Sequence, residues 1–158
     1  MATPTRVGMD RPFEPVHTVT DYYDGPRLGA ADFDGVPHVY RSLWLDAEDE
    51  WDDERFELAP LSPEAFAVVM EDWAIWRRFE DAYRAGDAQW SGDQTEWGAL
   101  PEDRVRRDLL RPAVEAALTV DRARRLIARG EFRAREPVPP DHPIGILRPL
   151  EVRWTTVD

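Results

Sequence analysis

The sequence predicts an α+β fold: an antiparallel sheet of about five strands with two to three helices packed on one face. Three observations carry this reading. An Asp34-Gly35 pair stands between two β-compatible runs. A long amphipathic run follows Ser62-Pro63-Glu64. Residues 150–155 alternate apolar and polar side chains without interruption.

Residues 1–12 are polar, hold two prolines and show no periodicity, so they read as a disordered lead-in to one domain over 13–158. A β-branched run at 16–20 gives the first short strand. At Asp34-Gly35 both turn residues take positive φ, which defines a two-residue hairpin and its register. Phe33 then faces Val36, Ala31 faces His38 and Gly29 faces Tyr40. Tyr40 covers the glycine, which has no side chain to pack. The second hairpin strand, 36–45, is apolar on both faces, with Val36, Tyr40 and Trp44 on one and Val39, Leu43 and Leu45 on the other, so it is expected at the centre of the sheet with Trp44 at a core position. An acidic loop over 46–54 leads into a third strand at 55–58.

Ser62 is a good N-cap, Pro63 suits the first turn, Glu64 meets the positive end of the dipole, and Gly86 ends the helix. Phe66, Val68, Val69, Met70, Trp73, Trp76, Phe79 and Tyr83 share one arc, read as the core face. On that reading Trp73→Ala costs roughly 3–5 kcal/mol. Asp72 and Glu80 fall inside the same arc. Glu80 has Arg77 and Arg84 one turn away, whereas Asp72 needs a partner from elsewhere: Arg41 or an arginine of the last helix. Pro101 opens a second helical region that Pro112 kinks or splits. Asp121 caps a last helix ended by Gly130, and strands at 131–136 and 150–157 flank a proline-rich loop.

Composition excludes several chemistries. There is no cysteine, hence no disulfide, thiolate metal site or cysteine nucleophile. All 20 basic residues are arginine, so lysine Schiff bases and P-loop lysines are absent as well. No glycine-rich phosphate loop or nucleophile elbow occurs, and no cofactor is implied. The start lacks the apolar segment of a signal peptide, and no stretch is long enough to span a bilayer, so a soluble cytoplasmic protein is expected. Net charge is −12, unevenly spread. Residues 1–99 carry 22 acids against 8 arginines, and residues 100–158 carry 10 against 12. Such a field disfavours nucleic acid and anionic membranes. The arginines near the C-terminus, Arg104 to Arg129, are expected to pair with the acidic N-terminal part.

The segment Asp32-Phe33-Asp34-Gly35-Val36 resembles the first motif of haloacid-dehalogenase-type phosphohydrolases. There the first aspartate is the nucleophile and the second the acid/base, with magnesium between them. The resemblance covers five residues. The apolar parallel strand that precedes the motif in that family is here Leu28-Gly29-Ala30-Ala31, and the family's lysine is absent. A hairpin turn accounts for the same five residues.

Two other groups of residues carry functional expectations. The run 46–54 holds seven carboxylates in nine residues. Its sixth residue is Trp51, where an EF-hand loop needs glycine. Trp51, Trp90 and Trp97 fall among polar residues, where tryptophan either folds back on the core or anchors a partner. Asp49, Glu50, Trp51, Asp52, Asp53, Trp90 and Trp97 are therefore expected to bind a basic protein surface, and the chain to be a non-enzymatic binding protein. The alternative is a small-molecule enzyme or divalent-metal protein using a polar site at His17, His38 and Asp72 with nearby carboxylates.

Overall fold

The computed structural model describes residues 11–88, 98–137 and 149–157. Two short strands, β1 (Glu14–Pro15) and β2 (Asp21–Tyr22), lead into β3 (Pro26–Phe33), β4 (Val36–Leu45) and β5 (Glu50–Pro60). Helices α1 (Pro63–Arg84) and α2 (Arg104–Ala117) follow, with a 3₁₀ turn at Pro101–Asp103 before α2. Strands β6 (Leu126–Ala134) and β7 (Leu150–Thr156) complete a seven-stranded antiparallel sheet of order β1-β7-β6-β5-β4-β3-β2. The expectation of about five strands with two to three helices on one face is thus corrected: seven strands curl into a half-barrel, with two helices outside it.

The curl follows from the segment over residues 14–22. At one end β1 pairs with β7, Glu14 opposite Val152. Val16 N donates to Leu150 O at 3.1 Å and also bridges to Ala31 of β3. Next, His17 N and Thr18 N donate to Ala30 O, and Thr20 N to Leu28 O. One short stretch of chain thereby joins both edges of the sheet.

The Asp34-Gly35 hairpin forms as expected. Asp34 and Gly35 have φ of 53° and 76°, and the register sets Phe33 against Val36, Ala31 against His38 and Gly29 against Tyr40. β4 lies between β3 and β5 and is covered on both faces at its middle, around Val39 and Tyr40. On the concave face Tyr40 joins Ala31, Phe33, Phe56, Leu58, Ala128, Val152 and Trp154. On the outer face Val39 joins Ala30, Ala59, Leu61 and Val69 of α1. A third cluster, Ile75, Ala99, Leu110 and Val114, packs α1 on α2.

α1 begins where its signals place it. The Ser62 hydroxyl accepts from Ala65 N at 3.1 Å, and Gly86 takes φ 83° beyond the last turn. Its wide aromatic arc divides, however. Phe66 and Val69 meet the sheet, Ile75 meets α2, and Trp73 and Trp76 are only half-buried. Tyr83 is exposed. α2 runs through Pro112 as one helix, so the proline does not split it.

The last expected helix, 121–130, is instead a turn followed by β6. Asp121 Oδ1 accepts from Ala123 N at 2.9 Å, a local bond that competes with helix initiation. Leu126 to Arg129 then pair with β5, and the whole of 128–134 pairs with β7. Gly130 is no helix stop. It lies opposite Trp154, and a Cβ there would stand 2.7 Å from the indole ring. The glycine makes the space in which Trp154 is buried, 1% exposed, with its indole N–H donating to Asp32 O at 3.0 Å. Several C-terminal arginines pair as charge balance suggests: Arg106 with Glu71, Arg125 with Glu57 and Arg129 with Glu54.

Candidate functional site

The acidic run divides between a turn and a strand. Residues 46–49 form the turn, Asp49 at φ 52°, and β5 already begins at Glu50. This produces a β4–β5 arm with Trp44 paired opposite Trp51. Their rings meet edge-on at 4.8 Å, and the Arg41 guanidinium lies 5.5 Å from the Trp51 ring centre. Trp51 is half-buried by these neighbours, while Trp44 is 42% exposed. Asp46, Glu48, Asp49, Glu50, Asp53 and Glu54 are exposed around them.

Asp52 serves the arm itself. Its carboxylate accepts from Glu54 N and Arg55 N, both at 2.8 Å, and from Arg55 Nε at 2.7 Å. Desolvation opposes its ionisation, but these amides and the guanidinium outweigh it and hold the carboxyl below its ordinary range. Asp53 turns toward Arg27 at the base of the arm. Trp90 and Trp97 lie outside the described residues. Sequence reasoning missed Trp44, assigning it a core position; the register shift between Ser42 and Trp44 carries it past the covered part of β4.

The two histidines do not meet. His17 Nε2 lies 2.8 Å from Asp32 Oδ1, and its ring edge packs on Phe66 of α1 at 5.0 Å. His38 Nδ1 lies 2.7 Å from the Val36 carbonyl, and its ring packs on Phe33. Neighbouring strand residues point to opposite faces. Asp32 and His17 therefore lie beneath α1, while His38 turns to the concave face with Phe33. The residues that resemble a phosphohydrolase motif are likewise separated: Asp32 binds His17, whereas Asp34 pairs with Arg11 in the turn. Glu14 accepts from the Asp34 and Gly35 amides at 3.1 and 2.7 Å and so braces that turn.

Asp72 lies apart from both histidines, in a cleft of about 530 Å³ between residues 19–22 and α1. Trp73, Trp76, Glu80 and Tyr22 line it, with Arg107 reaching in from α2. Burial pushes the Asp72 carboxyl above its ordinary value, opposed by the positive charges of Arg107 and Arg111. These α2 arginines, not Arg41 or a later helix, answer its charge. Glu80 has its partner in Arg77 at 3.2 Å, both side chains buried. The signal for this cleft was the width of the α1 arc, since eight large apolar residues exceed what one sheet face covers.

No group of three or more His, Cys, Asp or Glu side chains converges as a metal site among the described residues. No helix among them is long and apolar enough to cross a membrane. No protein family, curated protein or solved structure matches the chain.

Proposed function

We propose that the protein is a non-enzymatic binding protein whose β4–β5 arm docks on a basic protein surface. The observation that carries this reading is the Trp44–Trp51 pair, with Trp44 42% exposed and ringed by exposed carboxylates. An aromatic anchor within a charged rim is the usual make-up of a binding hot spot. Arginine suits such a surface, because its guanidinium both pairs with carboxylates and stacks on indole faces. The net charge of −12 would speed encounter with a cationic partner.

The test is affinity capture at low and high salt, with the intact protein beside a Trp44→Ser/Glu48→Arg/Glu50→Arg variant, which spares Asp49 at its positive φ. All three side chains are on the surface or its edge, so the variant keeps its fold, which circular dichroism verifies. Basic proteins held by the intact chain at low salt, released by salt and missed by the variant support the docking. Identical capture by both chains, or no capture at low salt, ends it. A second reading has one observation in its favour, the His17–Asp32 bond at 2.8 Å, which orients an imidazole as an acid/base dyad does. Titration of divalent metals or candidate substrates against tryptophan fluorescence tests it, and a silent titration of wild type and His17→Gln alike removes it.

A further inference from the structure

From the geometry around Arg27 we propose a second site, a pocket at the open end of the half-barrel that takes a small carboxylate ligand with an apolar body. Arg27 stands two residues before Gly29 on β3, so it projects to the same concave face as Tyr40. It is 6% exposed, an unusual place for a guanidinium.

Its hydrogen bonds account for one side of the group only. Nε donates to Tyr23 O at 2.6 Å. Nη1 donates to Asp52 O at 3.2 Å and reaches Ser42 Oγ at 3.5 Å. Nη2, with two N–H groups, has Asp53 Oδ1 as its neighbour at 3.6 Å, beyond hydrogen-bond distance. The Asp53 side chain is 89% exposed, so this counter-charge is loose and solvated. A buried cation normally has a close partner, because desolvation without one is costly. Among the described residues the rest of the guanidinium is fixed, while Nη2 is not one of the enclosed polar atoms that lack a partner: it keeps only the loose Asp53 pair, and Arg27 lines the cavity from which an acceptor can reach it.

The space beside it suits a ligand. A cavity of about 520 Å³ opens there, with Phe56, Phe132 and Leu150 among its walls. That volume lies within the range of small-molecule sites, which combine apolar walls with a few placed polar groups. The charge inventory selects a monoanion. Arg133 also lines the cavity but is held by Glu151 at 2.6 Å, and Asp24 and Asp53 add negative charge at the rim. A monoanion replaces the single charge that Asp53 sets against Arg27, whereas a dianionic phosphate brings a second negative charge into a cavity whose lining already includes Asp24. The apolar walls receive the body of the ligand. Asp53 is then a competing, internal carboxylate that sets the affinity.

The experiment is titration of the full chain with 1-naphthoate, its neutral analogue 1-naphthylmethanol, and phenyl phosphate. Calorimetry supplies affinities, and amide shifts of Gly25, Gly130 and Ala134 report location. The expected result is naphthoate binding with shifts at those amides, and at least about tenfold weaker binding of the alcohol, as for loss of one charge-assisted hydrogen bond. Asp53→Asn should tighten naphthoate binding by about threefold or more, the effect of removing a competing charge at the protein surface. Arg27→Gln should abolish it. If Arg27→Gln does not fold, the Asp53 variant decides, since that exposed side chain leaves the fold unaffected. Equal binding of acid and alcohol, unchanged or weaker binding by Asp53→Asn, shifts centred on the Trp73 cleft, or no saturation by naphthoate each overturns the proposal. Tighter binding of phenyl phosphate than of naphthoate overturns the choice of a carboxylate.

Discussion

Replacing Gly29 by alanine should destabilise the protein by about 1–5 kcal/mol, a large effect for one methyl group. A Cβ at this position would stand 2.2 Å from Thr18 O and 2.7 Å from the Tyr40 hydroxyl. Ordinary contact begins near 3.4 Å, so the Thr18 carbonyl has to retreat by about 1 Å. That carbonyl belongs to the segment joining both edges of the sheet. Its movement breaks the Tyr40 Oη–Thr18 O bond of 2.8 Å and strains the Thr18 N–Ala30 O bond of 3.1 Å. Leaving the buried hydroxyl without its acceptor costs about 1–3 kcal/mol. Overpacking adds about 1–3 kcal/mol. Lower entropy of the unfolded chain returns only about 0.4–1 kcal/mol. The assay is urea unfolding followed by tryptophan fluorescence, with midpoint and slope compared. Tyr40→Phe removes the same bond alone, so the double variant should lose less than the sum of the two. A loss below about 1 kcal/mol for Gly29→Ala, or strict additivity with Tyr40→Phe, would refute the account of a sheet closed over this glycine.

Three other outcomes are expected. Trp154→Ala, which empties the concave core, should cost about 3–5 kcal/mol, whereas the half-buried Trp73→Ala should cost only about 1–2 kcal/mol, both read by chemical denaturation. The Asp72 carboxyl is raised above its ordinary 3.8 by burial, so the folded state binds its proton more readily than the unfolded state does. Stability from this group therefore falls as pH climbs from about 4 through its folded value, and Asp72→Asn should raise Tm at pH 7 but not at pH 3. Asp52 has the opposite sign: its folded pKa is depressed, so its contribution is present above about pH 4 and is lost as pH falls through the folded value. Asp52→Ala should lower Tm at pH 7, with the difference from wild type vanishing in strong acid.

Local chemistry was legible wherever it answers to neighbouring residues. The hairpin register follows from the positive φ that Asp34 and Gly35 share, the start of α1 from the Ser62 hydroxyl, and β7 from its strict alternation. The region 121–134 was not legible in this way. Leu126 and Ile127 fit a helical or a strand period equally, and pairing with β5 and β7, remote in sequence, decides for a strand. The burial of the tryptophans escapes sequence patterning for a related reason. Periodicity says which side chains share a face, but not how far the opposing surface extends, so Trp44, Trp73 and Trp76 run past the end of theirs.

The candidate sites divide along the same line. The acidic stretch and its tryptophan were visible as residues, while the pairing of Trp44 with Trp51 required the strand register. Arg27 stood one step beyond a register already in hand, since pairing Gly29 with Tyr40 sends Arg27 to the concave face beside Ser42. By itself the sequence determined what short-range forces settle: turn, cap, alternation, charge and the absence of thiol and lysine chemistry. Only the tertiary structure decided the seven-strand curl, the separation of His17 from His38, and the burial of a guanidinium at the open end. Each of these depends on contacts between distant segments, whose free energy resides in the packed assembly and in no local stretch of chain.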